Sequence, residues 1–166
     1  HIIDLESMTI IRPRQRSGSF LSPPGRISHA MGYADGKIVI WGGFNGTFLK
    51  DLWVYDIETN EWTGKPSDAH GRADAAFATL DKTLYIVGSS KSDAVLSFDI
   101  PNGNKMDITT PTGNPPQYDL KGALMVPVGR YLIFIGGKLE NKRYGLVRAY
   151  DTVKCWWFVI FVAPDG

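Results

Sequence analysis

The sequence predicts an all-β fold that is built from repeated, four-stranded antiparallel sheets. A repeat recurs at intervals of 46 and 48 residues, measured between Gly42, Gly88 and Gly136. Each repeat contains four short runs rich in Val, Ile, Tyr, Phe and Trp, separated by turn-forming Asp-Gly, Gly-Gly, Pro and Asn-Gly sequences. No stretch between these runs has the periodicity of a helix. We therefore expect strands and turns throughout the chain.

The second run of each repeat ends in a pair of small residues that fixes the alignment. The three runs read "KIVIWGG", "TLYIVGS" and "YLIFIGG". They are apolar without alternation, so both faces of the second strand are expected to be buried. Glycine adopts positive φ easily, which lets the chain turn where a Cβ would clash. The pairs are Gly42 and Gly43, Gly88 and Ser89, and Gly136 and Gly137.

An aromatic residue followed by Asp ends the third run of every repeat. A carboxylate at this position can accept hydrogen bonds from the backbone N–H groups of the turn that follows. In the first and third repeats, Trp62 and Trp157 stand seven residues after the aromatic. A packed Trp suggests a scaffold role rather than an active site, and Trp62→Ala is expected to cost about 3–5 kcal/mol of stability. The pairs are Tyr55-Asp56, Phe98-Asp99 and Tyr150-Asp151.

These spacings divide the chain into three whole repeats and part of another. We predict four-stranded sheets, called blades below, at 25–66, 71–111 and 118–163, and the end of a preceding blade at 1–11. A sheet that is apolar on both faces needs a neighbour on each side. Radial stacking of four-stranded blades provides that environment.

The repeat resembles a known family. The sequence "GRISHAMGYADGKIVIWGG", a variable loop and then "LWVYDIETNEW" resemble a kelch repeat, which has a glycine pair after the second strand and then Tyr and Trp at fixed spacing. The resemblance covers essentially the whole chain and is weakest in the second repeat, where Ser89 replaces Gly and Phe98 replaces Tyr. It implies a kelch-type β-propeller fragment of about three and a half blades. Kelch propellers generally have six or seven blades, so the rest of the propeller is expected from the same or another chain.

Composition and charge narrow the functional classes. The formal net charge is +1, which gives no indication of nucleic-acid binding. The longest apolar run, "CWWFVIFVAP", is shorter than the roughly 20 residues of a membrane-spanning helix, so no membrane segment is expected within this chain. Because Cys155 is the single cysteine, no disulfide framework is expected, and a cytoplasmic location is slightly favoured.

No catalytic, cofactor-binding or metal-binding residue is predicted. The sequence contains no HExxH, CxxC or GxSxG motif, and "GGFNG" lacks the context of a phosphate loop. Asp68, His70 and Asp74 are close enough in sequence for a metal site, but a solvated loop is favoured. Some kelch propellers are copper-radical oxidases with a Tyr–Cys crosslink. Cys155 is expected on an outer strand, away from a channel, which disfavours that chemistry here.

The prediction that remains is a non-catalytic scaffold that binds protein partners through loops. The resemblance implies that the loops between second and third strands, and the linkers between blades, project from one face and bind partners. Exposed aromatic residues beside arginines are typical of interfaces. An enzyme of the oxidase or isomerase type and a cell-surface propeller glycosylated at Asn45 stay open as alternatives. The candidate partner-binding residues are Phe44, Asn45, Phe48, Arg26, Arg72, Lys138, Arg143 and Tyr144.

Overall fold

The computed structural model describes residues 2–4, 6–11, 22–65, 67, 69–89, 95–108, 110–117 and 119–162. Every regular element in these residues is a β-strand. In the described part of the chain, no helix is long and apolar enough to cross a membrane. The all-β class predicted from the sequence is confirmed.

A short hairpin precedes the first complete sheet. Its strands, Ile2–Asp4 (β1) and Thr9–Ile11 (β2), pair antiparallel. The first blade is an antiparallel sheet whose strands follow one another in space as they do in sequence. Its strands are Ala30–Ala34 (β3), Lys37–Trp41 (β4), Leu52–Asp56 (β5) and Glu61–Lys65 (β6).

The second and third blades repeat this strand order. The second consists of Ala76–Leu80 (β7), Thr83–Val87 (β8), Val95–Asp99 (β9) and Asn104–Lys105 (β10). Before the third blade comes the short strand Thr112–Gly113 (β11). The third blade contains Leu124–Val128 (β12), Tyr131–Ile135 (β13), Leu146–Asp151 (β16) and Trp156–Val162 (β17), with the small hairpin Lys138–Leu139 (β14) and Lys142–Arg143 (β15) between β13 and β16.

One pairing was not expected from the sequence. Strand β11 runs parallel to β17 and forms a fifth strand at the outer edge of the third blade, with Thr112 opposite Trp156. The chain between the second and third blades is thus tied to the outside of the third blade before it enters the first strand of that blade. Because the two paired residues carry no hydrophobic pattern, this pairing could not be predicted from the sequence.

The three blades pack face to face. First strand β7 of the middle blade contacts both other first strands, β3 and β12. A separate hydrophobic core fills each of the two junctions, and the middle blade is therefore buried on both faces, as its apolar second strand predicts. The first core includes Val39, Trp41, Leu52, Val54, Leu84, Ile86, Leu96, Phe98 and Ile100. The second includes Ala76, Ala78, Val87, Leu120, Met125, Leu132, Phe134, Tyr150 and Trp157.

The two terminal faces of this stack carry exposed apolar side chains. On the first blade, Met31 and Tyr33 are exposed on the face away from the second blade. On the third blade the exposed set is larger. It comprises Leu124, Val126, Val128, Ile135, Trp156 and Phe161.

Each third strand ends in an Asp that binds the turn after it. Asp56 Oδ1 accepts hydrogen bonds from the N–H groups two and three residues further on, at 3.0 and 3.1 Å. Asp151 Oδ1 makes the same two bonds at the same distances. In the second blade, Asp99 Oδ2 accepts from the N–H of Asn102 at 3.3 Å. These carboxylates hold the turn in which the third strand passes into the fourth.

The residue five positions after each of these aromatic residues differs with the presence of a hydroxyl group on the aromatic ring. That residue lies in the same turn and has positive φ in all three blades, at 60°, 64° and 51°. In the first blade the Tyr hydroxyl donates to an Asn side chain, whereas the second blade has a Phe, which needs no partner, and a Gly. In the third blade the Tyr faces a Cys. The three pairs are Tyr55 with Asn60, Phe98 with Gly103, and Tyr150 with Cys155.

Replacing Cys155 with Asn is expected to raise the free energy of unfolding by about 1 kcal/mol. The Tyr150 hydroxyl is buried and has no partner with normal hydrogen-bond geometry among the described residues, while burial and the neighbouring thiol raise its pKa. An Asn would supply the oxygen that Asn60 supplies in the first blade, and Asn tolerates the positive φ of this position. Urea denaturation measures the change. The reciprocal Asn60→Cys should destabilise, and a shift of both variants in one direction would contradict the argument.

Candidate functional site

In the first and third blades, the loop between the second and third strands meets the linker that enters the blade at one end of the sheet. In the first blade the linker residue Ile27 pairs with the loop residue Phe44, through hydrogen bonds of 3.0 and 2.9 Å. In the third blade Lys121 pairs with Lys138 in the same way, at 2.9 and 2.8 Å. We call the surface formed by these loops and linkers the loop face. The geometry brings together the candidate loop residues of the first blade and, separately, those of the third.

An apolar patch occupies the loop face of the first blade. The rings of Phe44 and Phe48 meet edge to face, with their centres 5.5 Å apart. Phe48 remains 58% exposed, and the paired linker residue Ile27 is 66% exposed. Asn45 is also exposed, in the tight turn between the two rings. The two rings therefore cover each other only in part and offer apolar surface to a partner.

A cationic pocket occupies the loop face next to the third blade. It has a volume of about 470 Å³. Lys138, Arg143 and Tyr144, all predicted from the sequence, line it. The remaining lining residues are Asp74, Lys121, Gly122 and Gly137. Lys121 could have been found by alignment, because it occupies the place of Ile27 in the repeat.

Arg26 is held inside the first blade rather than presented on the loop face. Its side chain is only 3% exposed and forms a two-pronged ion pair with Asp51, at 2.7 Å for both contacts. Its Nη1 also donates to the Gly42 carbonyl at 2.9 Å. This hydrogen-bonded guanidinium holds the pKa of Asp51 below its usual range. The contact with a partner predicted for Arg26 is therefore corrected to a role in positioning the loop.

Arg72 needs the same correction. The residue is 1% exposed and lies at the junction of the first and second blades. Its Nη1 donates to the Gly88 carbonyl at 3.3 Å, and its guanidinium carbon lies 6.0 Å from the centre of the Trp41 ring. Because the guanidinium is enclosed between two blades, it is not available to a partner on the loop face. The repeat carried the signal, since both arginines precede the first glycine of their pair by 16 residues.

The candidate chemical groups do not converge. Within the described residues, no three His, Cys, Asp or Glu side chains are placed to hold a metal ion. Asp68, the third member of the candidate group with His70 and Asp74, lies outside the described residues. His29 stands at the start of the first blade, where burial and then the charge of Arg26 lower its pKa. Cys155 lies in the turn between β16 and β17 rather than on an outer strand.

Four-stranded antiparallel blades, stacked face to face through their first strands, define the chain as a segment of a β-propeller. The family model described as "KLHDC2/KLHL20/DRC7 Kelch-repeats domain" matches residues 1–165, and the chain belongs to this kelch-repeat family.

Curated relatives carry the same kind of sequence within longer proteins. The Rho GTPase-activating protein gacHH of Dictyostelium discoideum is 29% identical over 84% of this chain and 10% of its own length. Kelch domain-containing protein 3 of Bos taurus is 28% identical over 87% of this chain and 40% of its own length. An F-box/kelch-repeat protein of Arabidopsis thaliana, At4g29370, is 26% identical over 77% and 34%. The chain thus spans less than half the length of each of these relatives.

Proposed function

We propose that this kelch segment is a non-catalytic module that binds a protein partner through its loop face. The observation that carries the proposal is the Phe44–Phe48 pair, which combines an edge-to-face ring contact with an exposed surface. Large aromatic side chains that are exposed on a loop held by a rigid sheet bury much surface area on binding, at little cost in conformational entropy. Phe44 and Phe48 form the anchor, and Asn45 in the turn between them adds polar contacts.

The relatives support an accessory role in recognition. One is a GTPase-activating protein and another is an F-box/kelch-repeat protein, so kelch sequence occurs beside another activity or element. On the loop face, Lys138, Arg143 and Tyr144 give the third blade a cationic surface that contrasts with the apolar patch on the first. These two surfaces fit one kind of partner. It buries an apolar side chain against the first blade and places an acidic group near the cationic surface of the third.

The double substitution Phe44→Ser and Phe48→Ser tests this function. Peptides selected from a random displayed library on the wild-type chain are expected to lose about tenfold or more of their affinity for the variant, because a buried aromatic anchor contributes on that scale. Affinity is measured by fluorescence polarisation. Both rings lie on a loop and not in either core, so the denaturation midpoint is expected to change little.

The matched control removes two exposed apolar residues at the other end of the strands. Ile57 and Val153 are 43% and 72% exposed, in the turns after β5 and β16. Ile57→Ser with Val153→Ser is expected to leave peptide affinity unchanged. Equal loss in both double variants, or none in Phe44→Ser with Phe48→Ser, would discard this loop as the anchor.

A further inference from the structure

The linkers that enter the second and third blades are each held by the second residue of the small-residue pair in the blade before, Gly43 or Ser89. At the first junction Gly43 donates its N–H to the Arg72 carbonyl at 2.7 Å, and the Arg72 N–H donates to the Leu49 carbonyl at 3.3 Å. Gly43 has φ of +96°, and a Cβ there would lie 2.7 Å from the Ile27 carbonyl oxygen. The backbone of Gly71 and Arg72 therefore lies between the two ends of the loop from Gly43 to Leu49 and is hydrogen-bonded to both of them.

The second junction repeats the first of these bonds, whereas the Leu120 N–H donates to the Gln117 carbonyl of its own linker at 3.3 Å. Ser89 takes the place of Gly43 and donates its N–H to the Leu120 carbonyl at 2.9 Å. Two residues further along each linker, a second bond joins consecutive blades. Asp74 N–H donates to Ser28 O at 3.2 Å, and Gly122 N–H donates to Asp74 O at 2.9 Å. The residues in this series all have positive φ: 55° for Ser28, 60° for Asp74 and 64° for Gly122.

The pocket beside the third blade has the backbone framework that grips a linker at the first junction. Its loop is closed by the Tyr144 N–H, which donates to the Gly137 carbonyl at 3.0 Å, as the Leu49 N–H donates to the Gly43 carbonyl at 2.9 Å. Gly137 has φ of +111°. By repeat equivalence, the pocket presents the Gly137 N–H and the Tyr144 carbonyl where the first junction presents those of Gly43 and Leu49.

The side chains around the two frameworks differ in charge. Where the first blade has Ile27, Phe44 and Phe48, the third blade has Lys121, Lys138 and Arg143. Against these three cations the pocket lining contains one carboxylate, that of Asp74. A segment with a cationic residue would be repelled here, whereas an acidic side chain would be attracted.

We propose that this pocket binds an extended acidic peptide segment, namely the leading linker of a further four-stranded blade. The backbone of the segment pairs with Gly137 and Tyr144, and its acidic side chains meet Lys138 and Arg143. Two positions after the paired residue stands one that accepts positive φ, as Gly122 does after Leu120. The ligand of Lys138, Arg143 and Tyr144 is then the acidic linker. The inference stands on the junction geometry and holds whether or not the Phe44–Phe48 loop anchors a partner.

The probe is a heptapeptide with the sequence of residues 117–123 and the change Lys121→Glu, blocked at both ends, which reads Gln-Tyr-Asp-Leu-Glu-Gly-Ala. Its uncharged counterpart carries Asn and Gln in place of Asp and Glu. In a titration of the ¹⁵N-labelled chain at low salt, the acidic peptide is expected to shift the Gly137 and Tyr144 amide signals. It is expected to bind about two- to tenfold more tightly than the uncharged one, since exposed ion pairs contribute modestly. Near 1 M salt this difference should disappear.

Substitution distinguishes binding in the pocket from non-specific electrostatic attraction to a basic surface. Lys138→Gln with Arg143→Gln is expected to abolish the preference for the acidic peptide, and Lys50→Gln, an exposed lysine in the loop of the first blade, is expected to keep it. Equal binding of the two peptides, or no shift at Gly137 and Tyr144, would overturn the inference. Shifts confined to Phe44 and Phe48 would place the peptide on the apolar patch instead, which overturns the pocket but leaves the proposed function intact.

Discussion

Replacing Trp157 with Ala is expected to lower the free energy of unfolding by about 3–5 kcal/mol, as for other fully packed aromatic residues. Trp157 has no exposed surface and belongs to the core between the second and third blades. Its ring lies 5.0 Å from that of Tyr150 and 6.2 Å from that of Phe134. Alanine would leave a cavity that sheets on two sides prevent from closing. Urea denaturation measures the loss, with an unchanged slope showing that the folded and unfolded states keep their compactness.

Trp62 is the matched control, because it has the same place in the first blade. It packs on Tyr55 at 4.9 Å between ring centres, but it is half-buried and lies on the face away from the second blade. Trp62→Ala is therefore expected to cost less than about half as much as Trp157→Ala, and less than the motif alone suggests. Equal losses at the two positions would show that the second junction is not what stabilises Trp157.

The all-β class and its four-stranded sheets could be predicted from the sequence because their signals are local. Apolar second strands, turn-forming pairs and the aromatic–Asp motif are set by neighbours within a few residues, and they recur in register. The two buried faces of the middle blade followed from the same runs, whereas Ile135, on the second strand of the third blade, is 40% exposed. The stacking of blades followed from these apolar faces as well, since each needs a neighbouring sheet.

The functional surface was predicted only in part, because burial of a charged residue depends on contacts between blades. Arg72 has the sequence context of an exposed loop residue, but the Gly88 carbonyl and the Trp41 ring enclose it. The strand pairing of Thr112 with Trp156 escaped prediction for a related reason, since it is a contact between distant segments with no pattern of its own. Repeat alignment places Lys121 opposite Ile27, but that Lys121 and Gly122 line a pocket follows only from the folded structure.

Replacing Arg72 with Leu is expected to lower the free energy of unfolding by about 2–4 kcal/mol. The substitution removes a charged hydrogen bond to the Gly88 carbonyl and a cation beside the Trp41 ring, both at a buried junction. Leucine is the informative choice because Leu120 takes this place in the third blade and is 1% exposed. The backbone bonds of residue 72 to the first blade do not depend on its side chain, so the measured loss reports the guanidinium itself.

Arg72→Lys and Arg143→Ala complete the test. Lysine keeps the charge but lacks the planar group that can lie beside a ring and donate in a fixed direction, so it is expected to recover only part of the loss. Arg143 is exposed on the loop face, and its replacement is expected to change the stability by no more than about 0.5 kcal/mol. If Arg72→Leu changed the denaturation midpoint as little as Arg143→Ala, Arg72 would behave as a surface residue. Arg72 would then again be expected to contact a partner, and its stabilising role at the blade junction would be wrong.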